Sequence, residues 1–458
     1  DLNMAITFTS ATDSTSVTVN DTSHGAIAGD FVTFSSANTG NTALNLQIDN
    51  EFSITSITNA NSYVITLSSN AAAALSSAGS ADAEYQLNVG INTVVDGDGW
   101  GAGSWGADGW GSPAGETAGG GTLRLWSQDN FGEDLIFNQR DGFVFYWDKT
   151  LGVSSRAKNL IELSDAAPTK SRKVIVSERD RHVICFGANP IGETVQDRLL
   201  IRFSSQENPF LWTPSARNTA GDLRIGSGSE IITAVKTRRE MIVLTDSSVH
   251  SMQFIGPPFT FGVSQLASAI TVRGFNSAVA IGDAVMWMGY DRFYIYDGRV
   301  QVIPCSVRDH VFQDFNETQS DKVYAGVNSA FGEVFWFYPS ATNSGANGGT
   351  DENDKYVVYN YDQKIWYVGS LARTSWVDRG VYQYPMATDS NFVYNHEKGH
   401  GNDGSNFTAY IESSDFDLEP DGERFTFISK LIPDVQFRDQ QGTSDSVTYT
   451  IKGRDYPL

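Results

Sequence analysis

Residues 284–298 read AVMWMGYDRFYIYDG, two runs of large apolar and aromatic residues with a short polar step between them. Aromatic and β-branched side chains are typical of strands, and the Asp297-Gly298 pair that ends the second run is typical of a tight β-turn. The stretch therefore predicts a hairpin of buried strands.

Similar runs recur along the chain, and their spacing decides the architecture. Besides residues 284–288, they lie at residues 143–147, 182–186, 241–244, 333–337 and 392–394. Successive runs are about 40 to 60 residues apart, the length that one four-stranded propeller blade needs. We therefore predict an all-β fold with a propeller-like body of roughly six irregular blades over residues 124–404. An array of β-sandwiches is the alternative, because the units share no single signature.

The segment before this body has a different character. Residues 1–90 contain 26 Ser and Thr, with period-two alternation between turn clusters, which predicts an inserted or preceding small antiparallel β-domain, a sandwich or barrel. We expect helix there only around Ala71–Ala74. Residues 91–123 contain eleven Gly and three indoles at a spacing of five, Trp100, Trp105 and Trp110, and are interpreted as a linker that folds back onto a neighbour.

The chain ends in strand-like sequence. We expect residues 405–458 to supply β-strands that complete the body, around residues 407–411, 425–428, 431–437 and 446–452. Because the chain begins without Met and its last strand is followed by only six residues, we expect it to be partial at both ends.

Charge is unevenly distributed. The net charge is -22, from 54 acidic and 32 basic residues, and residues 1–123 contain twelve acids and no Lys or Arg. That quarter lacks the bases with which proteins displace counterions from nucleic acid. Residues 156–239 hold fourteen bases against nine acids, so they are suited either to weak contact with DNA, without reading its sequence, or to salt bridges between blades or subunits.

One catalytic pattern is present and is rejected. Residues 396–400, His-Glu-Lys-Gly-His, fit the H-E-x-x-H zinc signature, but that chemistry needs both imidazoles on one helical face. The glycines in and after the pattern predict a hairpin turn instead. We therefore assign no catalytic, cofactor-binding or metal-binding residue.

The remaining motifs are interpreted as structural. Residues 96–99 and 351–354 offer carboxylates without the spacing of a calcium loop. Residues 226–229, Gly-Ser-Gly-Ser, lack the last glycine and the lysine of a phosphate loop. Cys185 and Cys305 are expected to be buried free thiols. No apolar run is long enough to span a bilayer.

Several longer sequence segments, called phrases below, resemble those of a known protein family. They are LRLWSQDNFGEDL at 123–135, RDG at 140–142, WD at 147–148, NPFLWTP at 208–214, NTAGDL at 218–223, GPPFTFG at 256–262, YIYDGRV at 294–300 and CSVR at 305–308. In this order they resemble the tail nozzle, or packaged-DNA stabilisation (tail tubular), proteins of tailed, chiefly short-tailed, bacteriophages. The Gly/Trp stretch and the turn over residues 24–30 are similar to what such proteins carry.

The resemblance implies a structural protein of the virion tail rather than an enzyme. It implies a homo-oligomeric ring, commonly a hexamer, that continues the DNA channel, retains the packaged genome and conducts it during ejection. Implied partners are head-to-tail connector or adaptor proteins, tail fibre or tip proteins and passing double-stranded DNA, with no cofactor. We expect acidic and polar loops along the channel and the basic band of residues 156–239 at subunit contacts. A glycan hydrolase or a carbohydrate-binding adhesin is the alternative.

Overall fold

A computed structural model describes most of the chain. It covers residues 6–86 apart from 23, 25 and 27, residues 123–342 apart from 154, 165, 178, 257 and 258, residues 350–399 apart from 390, and residues 411, 413, 427–434 and 447–453. The chain divides into two units, residues 1–396 and residues 397–458. The linker predicted at residues 91–123 lies outside the described residues except for its last residue, Leu123.

The first described segment forms one curled sheet. Its antiparallel strands are paired in the order β6-β1-β2-β5-β4-β3-β7. They are β1 (Thr7–Ser10), β2 (Ser16–Asn20), β3 (Phe31–Asn38), β4 (Glu51–Asn59), β5 (Ser62–Thr66), β6 (Leu75–Ala78) and β7 (Ser80–Gln86). Alternate residues such as Phe8, Val17 and Val19 are fully buried on the inner face, so the period-two pattern becomes a closed apolar core as predicted.

The helix of this segment is not where the sequence led us to expect it. Helix α1 spans Thr42–Ile48, and residues 71–74 are not helical. The Asn41 side chain caps α1 by accepting a hydrogen bond from the Leu44 N–H at 3.0 Å, and Leu44 and Ile48 are buried one turn apart. The turn-like sequence before Thr42 is therefore an N-cap, whereas four alanines are too few to nucleate a helix.

The body is a six-bladed propeller. Each predicted run falls on a strand of a different sheet, and five sheets have four strands while the sixth has three. Blade 1 is β8 (Trp126–Phe131), β9 (Asp134–Gln139), β10 (Val144–Trp147) and β11 (Lys158–Asn159); blade 2 is β12 (Lys173–Val176), β13 (Val183–Phe186), β14 (Leu200–Phe203) and β15 (Gly221–Arg224); blade 3 is β16 (Ile231–Lys236), β17 (Met241–Thr245), β18 (Ser248–Gly256) and β19 (Thr260–Ser268). Blade 4 is β20 (Ala278–Ile281), β21 (Ala284–Met288), β22 (Phe293–Tyr296) and β23 (Val300–Ile303); blade 5 is β24 (Tyr324–Asn328), β25 (Glu333–Tyr338), β26 (Lys355–Asn360) and β27 (Ile365–Ser370); blade 6 is β28 (Ser375–Val377), β29 (Met386–Thr388) and β30 (Val393–Asn395).

Each blade is an antiparallel meander whose first strand is the innermost. The first strands of successive blades, β8, β12, β16, β20, β24 and β28, contact one another around the axis. Connections therefore alternate between two ends of the body. We call them the strand-start end, where the six inner strands begin, and the strand-finish end, where those strands stop.

Buried indoles join successive blades. The Trp336 Nε1–H of blade 5 donates to the Ser277 carbonyl before β20 at 3.0 Å, and the Trp376 Nε1–H of blade 6 donates to the Val327 carbonyl of blade 5 at 2.8 Å. An indole combines a large apolar area with one donor that must be satisfied when buried. These tryptophans therefore fix the angle between sheets as well as filling the core.

Helices are short in the described part of the body. They are α2 (Leu160–Leu163), α3 (Arg308–Gln313) and the 3₁₀ turns Lys149–Leu151 and Glu317–Lys322. No described helix is long and apolar enough to cross a membrane. Of the C-terminal segment, residues 427–434 and 447–453 are described and carry no strand or helix, so the contribution of residues 405–458 to the body stays a prediction.

Candidate functional site

Charged side chains gather at the strand-start end. We call this set the axial ion-pair network, and it consists of Arg140, Asp141, Arg172, Glu230, Arg273, Glu317 and Asp321. Its members lie on connections of five different blades, and its three arginines are nearly fully buried. Sequence reasoning missed this arginine cluster, because its members are far apart in the chain and meet only when the blades close around the axis.

One pair of the network joins distant parts of the chain. Arg140, after β9 of blade 1, donates to the Asp321 carboxylate, just before β24 of blade 5, at 2.6 Å. The Arg140 side chain is 6% exposed and that of Asp321 is 33% exposed. Gly274 allows this approach, because a Cβ there would lie 3.2 Å from the Asp321 Cα and 3.1 Å from the Ser320 carbonyl oxygen.

A second part of the network joins blades 1, 2 and 3. The Arg172 guanidinium lies 2.9 Å from the Glu230 carboxylate and 3.6 Å from that of Asp141. Arg198 approaches the same Glu230 carboxylate at 2.7 Å. A buried guanidinium group needs partners that offset the cost of its desolvation, so these pairs hold the starts of neighbouring inner strands in register.

The third arginine sits in an aromatic cage. The Arg273 guanidinium lies over the rings of Phe315, Tyr290 and Phe312, at 4.0, 4.9 and 5.9 Å from their centroids. It also pairs with Glu317. Desolvated cation–π contacts of this kind stabilise a buried guanidinium, so Arg273 anchors blade 4 to the helical connection that precedes blade 5.

A cavity lies beside the axis, between blades 4 and 5. It encloses about 480 Å³ and runs along the inner strands of blades 4 and 5. Its wall includes the Trp376 indole, and the side chains of Asn276, Ser329, Tyr361 and Asp378 line it as well. Its residues lie between positions 276 and 378, a stretch in which the sequence pattern indicated only strands and turns.

The H-E-x-x-H pattern is a turn, as predicted, over its described residues 396–399. His396 follows β30, and Glu397 and Gly399 both have positive φ angles. The His396 Nε2 accepts a hydrogen bond from the Arg373 Nε–H at 2.9 Å. Burial, together with the Arg373 charge, lowers the pKa of His396 to about 4. This imidazole therefore packs blade 6 as a neutral ring.

The acidic loop before β26 is also structural. The Asp354 carboxylate accepts hydrogen bonds from the Ser340 N–H and Oγ at 2.8 and 2.7 Å and from the Thr350 Oγ at 3.0 Å. The buried Asn353 amide donates to the Lys322 carbonyl. Within the described ranges, no three His, Cys, Asp or Glu side chains are grouped as metal ligands. The other acidic loop, residues 96–99, lies outside the described residues.

Residues 226–229 form a tight turn at the strand-start end of blade 3. Gly228 has a φ of +90°, and the Ser229 N–H donates to the Asp246 carboxylate at 2.8 Å, so a carboxylate occupies the donor that a phosphate would need. Ser227 Oγ lies 3.1 Å from His250 Nε2, which Ser248 Oγ also approaches at 2.9 Å. These hydroxyls satisfy a buried imidazole whose pKa is lowered by burial.

Many cations of the basic band have partners within the chain. Arg172, Arg198, Arg224, Lys236 and Arg239 form ion pairs with Glu230, Glu230, Asp197, Asp129 and Asp283, respectively. Arg202 donates to the Asn189 and Ala166 carbonyls inside blade 2. The salt-bridge interpretation therefore accounts for these members. Exposed members such as Arg156, Arg179 and Arg217 keep the subunit-contact role as a prediction.

The two cysteines lie in different blades and are both free. Burial raises the pKa of the Cys185 thiol to about 12 and that of Cys305 to about 11. Because the thiolate is the reactive form, both side chains behave as small apolar groups at neutral pH.

Comparison with known proteins adds little about function. No family model and no curated protein matches the chain. Similar solved structures include an extracellular domain from B. thetaiotaomicron (10% identity, TM-score 0.38, 63% of this chain and 33% of that chain), apo AztD from Citrobacter koseri (9%, 0.34, 84% and 89%) and the phage phi92 endosialidase (12%, 0.23, 99% and 62%). This chain thus spans 33% of the length of the first of these. Scores this low carry no argument about what this chain binds or does.

Proposed function

We propose that this chain is a ring-forming subunit of a bacteriophage tail nozzle. In this role it forms a homo-oligomer, commonly a hexamer, that continues the DNA channel of the virion tail between the connector proteins and the tail tip. It retains the packaged genome and conducts it during ejection without reading its sequence. It acts as a scaffold and not as an enzyme.

The proposal rests on an observation about the sequence segments that resemble nozzle proteins: some of them lie close together in the structure. Phe210, in the phrase at 208–214, packs edge-on against Tyr146 of blade 1 with centroids 4.9 Å apart. Thr260, in the phrase at 256–262, donates from Oγ to the Thr219 carbonyl in the phrase at 218–223, at 3.2 Å. Phrases far apart in the sequence thus form one surface at the strand-finish end of blades 1 to 3.

Apolar side chains are exposed on this surface. Ile255 near the end of β18 and Phe259 in the turn after it are exposed, and Leu151 and Val153 are exposed on the connection after β10. Exposed apolar groups of this size on neighbouring loops are typical of protein interaction sites. They support a subunit that is completed by contact with the next copy in a ring.

The axial ion-pair network supports a scaffold in a second way. Glu230, Glu317 and Asp321 are each bound by a buried or partly buried arginine, which stabilises the ring of blades. A glycan hydrolase needs a pair of carboxylates that face the substrate as acid and as base or nucleophile. The network therefore favours the structural role over that alternative.

Electron microscopy of the purified chain tests the proposal. We expect six-fold rings with a central hole, and mass spectrometry of the source virions should find the chain in the tail fraction. Phe259→Ser should reduce ring formation, whereas Phe331→Ser, at another exposed aromatic residue at the same end of blade 5, should leave it unchanged. A chain that stays monomeric in solution and is absent from tails would contradict the proposal.

A further inference from the structure

We propose that the cavity beside the axis, along the inner strands of blades 4 and 5, binds a neutral saccharide ring. This inference goes beyond the nozzle role and does not rest on it. A propeller that bound a sugar in this way would do so whether or not it formed a tail ring.

The size and wall of the cavity suit a small ring-shaped ligand. Its volume of about 480 Å³ falls within the range of about 300 to 1,000 Å³ that is typical of small-molecule sites. Along β20 the wall includes the half-buried side chains of Val279 and Ile281, which pack against the apolar core between blades 4 and 5. Apolar groups left partly bare beside an axis are the surface that the C–H face of a sugar ring can cover.

Opposite this strand lies an aromatic wall that is held rigidly. The Trp376 ring stacks on Phe335 with centroids 5.1 Å apart and an interplanar angle of 19°, and its Nε1–H is bound to the Val327 carbonyl. A Cβ on Gly326 would lie 2.5 Å from this indole. The indole therefore cannot collapse into the cavity, which keeps its width without a ligand.

Polar groups converge where the cavity reaches the strand-finish end. The Ser329 hydroxyl and the Tyr361 hydroxyl have no side-chain hydrogen bond to another described residue. The Asp378 carboxylate accepts only weak bonds from the Ser329 N–H, at 3.3 and 3.4 Å, besides one from the adjacent Arg379 N–H. Together they offer two hydroxyls and a carboxylate, a set that can bind the neighbouring hydroxyls of a sugar.

The charged groups that line the cavity favour a neutral ligand. Asp378 is the one Asp, Glu, Lys or Arg among the lining residues. Burial and the nearby Asp362 and Asp378 carboxylates raise the pKa of Tyr361, so its hydroxyl keeps its proton and can donate. A phosphate or an acidic sugar would meet a carboxylate with no cation among the lining residues, whereas a neutral sugar would meet both donors and acceptors.

Saturation-transfer NMR with methyl α-glucoside and N-acetylglucosamine as probes tests this inference on the full chain. We expect transfer to the ring protons of at least one probe, competed by the other neutral sugar. N-acetylneuraminate should bind about tenfold more weakly, as expected for a ligand that must lose one charge-favoured contact. Stronger binding of the acidic sugar would overturn the assignment of a neutral ligand.

Variants of lining residues test whether the saturation-transfer signal comes from binding in the cavity. Ser329→Trp, at an exposed lining position, should fill it and abolish transfer, and Tyr361→Phe should weaken binding by about three- to tenfold, as for one lost hydrogen bond. Tyr382→Phe, an exposed tyrosine that is not part of the lining, is the matched control and should bind as the unaltered chain does. The melting temperature of each variant checks that it is folded.

Two results would refute the site. One is no transfer to either neutral sugar in the unaltered chain. The other is binding that survives both Ser329→Trp and Tyr361→Phe in folded protein. Neither outcome bears on ring formation, so failure of this inference is distinguishable from failure of the nozzle proposal.

Discussion

Removing the charge of Asp321 should destabilise the body more than any surface ion pair can. Asp321→Asn keeps the shape of the side chain but leaves the Arg140 guanidinium, 6% exposed, without its carboxylate. Breaking a buried pair from one side costs about 3 to 5 kcal/mol, and exposed pairs contribute about 0.2 to 1 kcal/mol. Because Asp321 is itself 33% exposed, water can partly replace it, and we expect a loss of about 2 kcal/mol.

The loss can be measured as a shift in melting temperature. For a unit of this size, about 1 kcal/mol corresponds to roughly 2 to 4 °C, so Asp321→Asn should lower the melting temperature by about 4 to 8 °C. Adding Arg140→Met should recover part of the loss, because the uncompensated buried charge is then removed as well.

The matched control is a pair on the same blade that faces solvent. Glu133 pairs with Lys149 at 2.5 Å, but their side chains are 78% and 52% exposed. Glu133→Gln should therefore cost about 0.5 kcal/mol or less. Equal effects of the two substitutions, or a double variant less stable than Asp321→Asn alone, would refute the claim that the Arg140–Asp321 pair helps to close the ring.

Two further outcomes follow from buried groups. His182 and His396 each have a pKa lowered to about 4, chiefly by burial, from an ordinary 6.5. As the pH falls, these histidines therefore bind protons in the unfolded chain before they do so in the folded chain. The melting temperature should fall between pH 6.5 and 4, and it should fall less in a His182→Gln variant. Gly326→Ala should destabilise the body by about 1 to 3 kcal/mol in urea denaturation, because the new methyl group meets the fixed Trp376 indole at 2.5 Å. Gly226→Ala, where a new methyl group has nothing within 4 Å, should be close to neutral in the same assay. Equal effects of the two substitutions would argue against a rigid indole.

Local pattern was enough to predict the strands, because each blade is built from neighbours in the sequence. Residues 284–298 predict a hairpin, and β21 pairs with β22 in the structure. The period of the aromatic runs then gave the number of blades. Helix α1 escaped prediction because its start is decided by one Asn41 side chain that bonds either as a turn residue or as a helix cap.

The candidate sites could not be predicted in this way. Arg140 and Asp321 are 181 residues apart, and nothing in the sequence near either one indicates the other. The cavity likewise depends on the distance between inner strands of different blades, which is set by indoles such as Trp376 packing across the gap. Such features follow from closure of the ring, and closure is a property of the whole body.

How this propeller closes explains why the axial charges are buried. In the described body every blade is formed by strands that follow one another in the chain, from β8–β11 in blade 1 to β28–β30 in blade 6, so no sheet combines strands from both ends of the body. Without a shared sheet, blades that are distant in the chain must be held together by side chains. The Arg140–Asp321 pair is a contact of this kind, because it joins blade 1 directly to the connection that precedes blade 5. A buried ion pair adds little net stability compared with apolar packing, but its hydrogen bonds require a specific geometry. A ring of separate sheets needs such geometric specificity in order to close in one register.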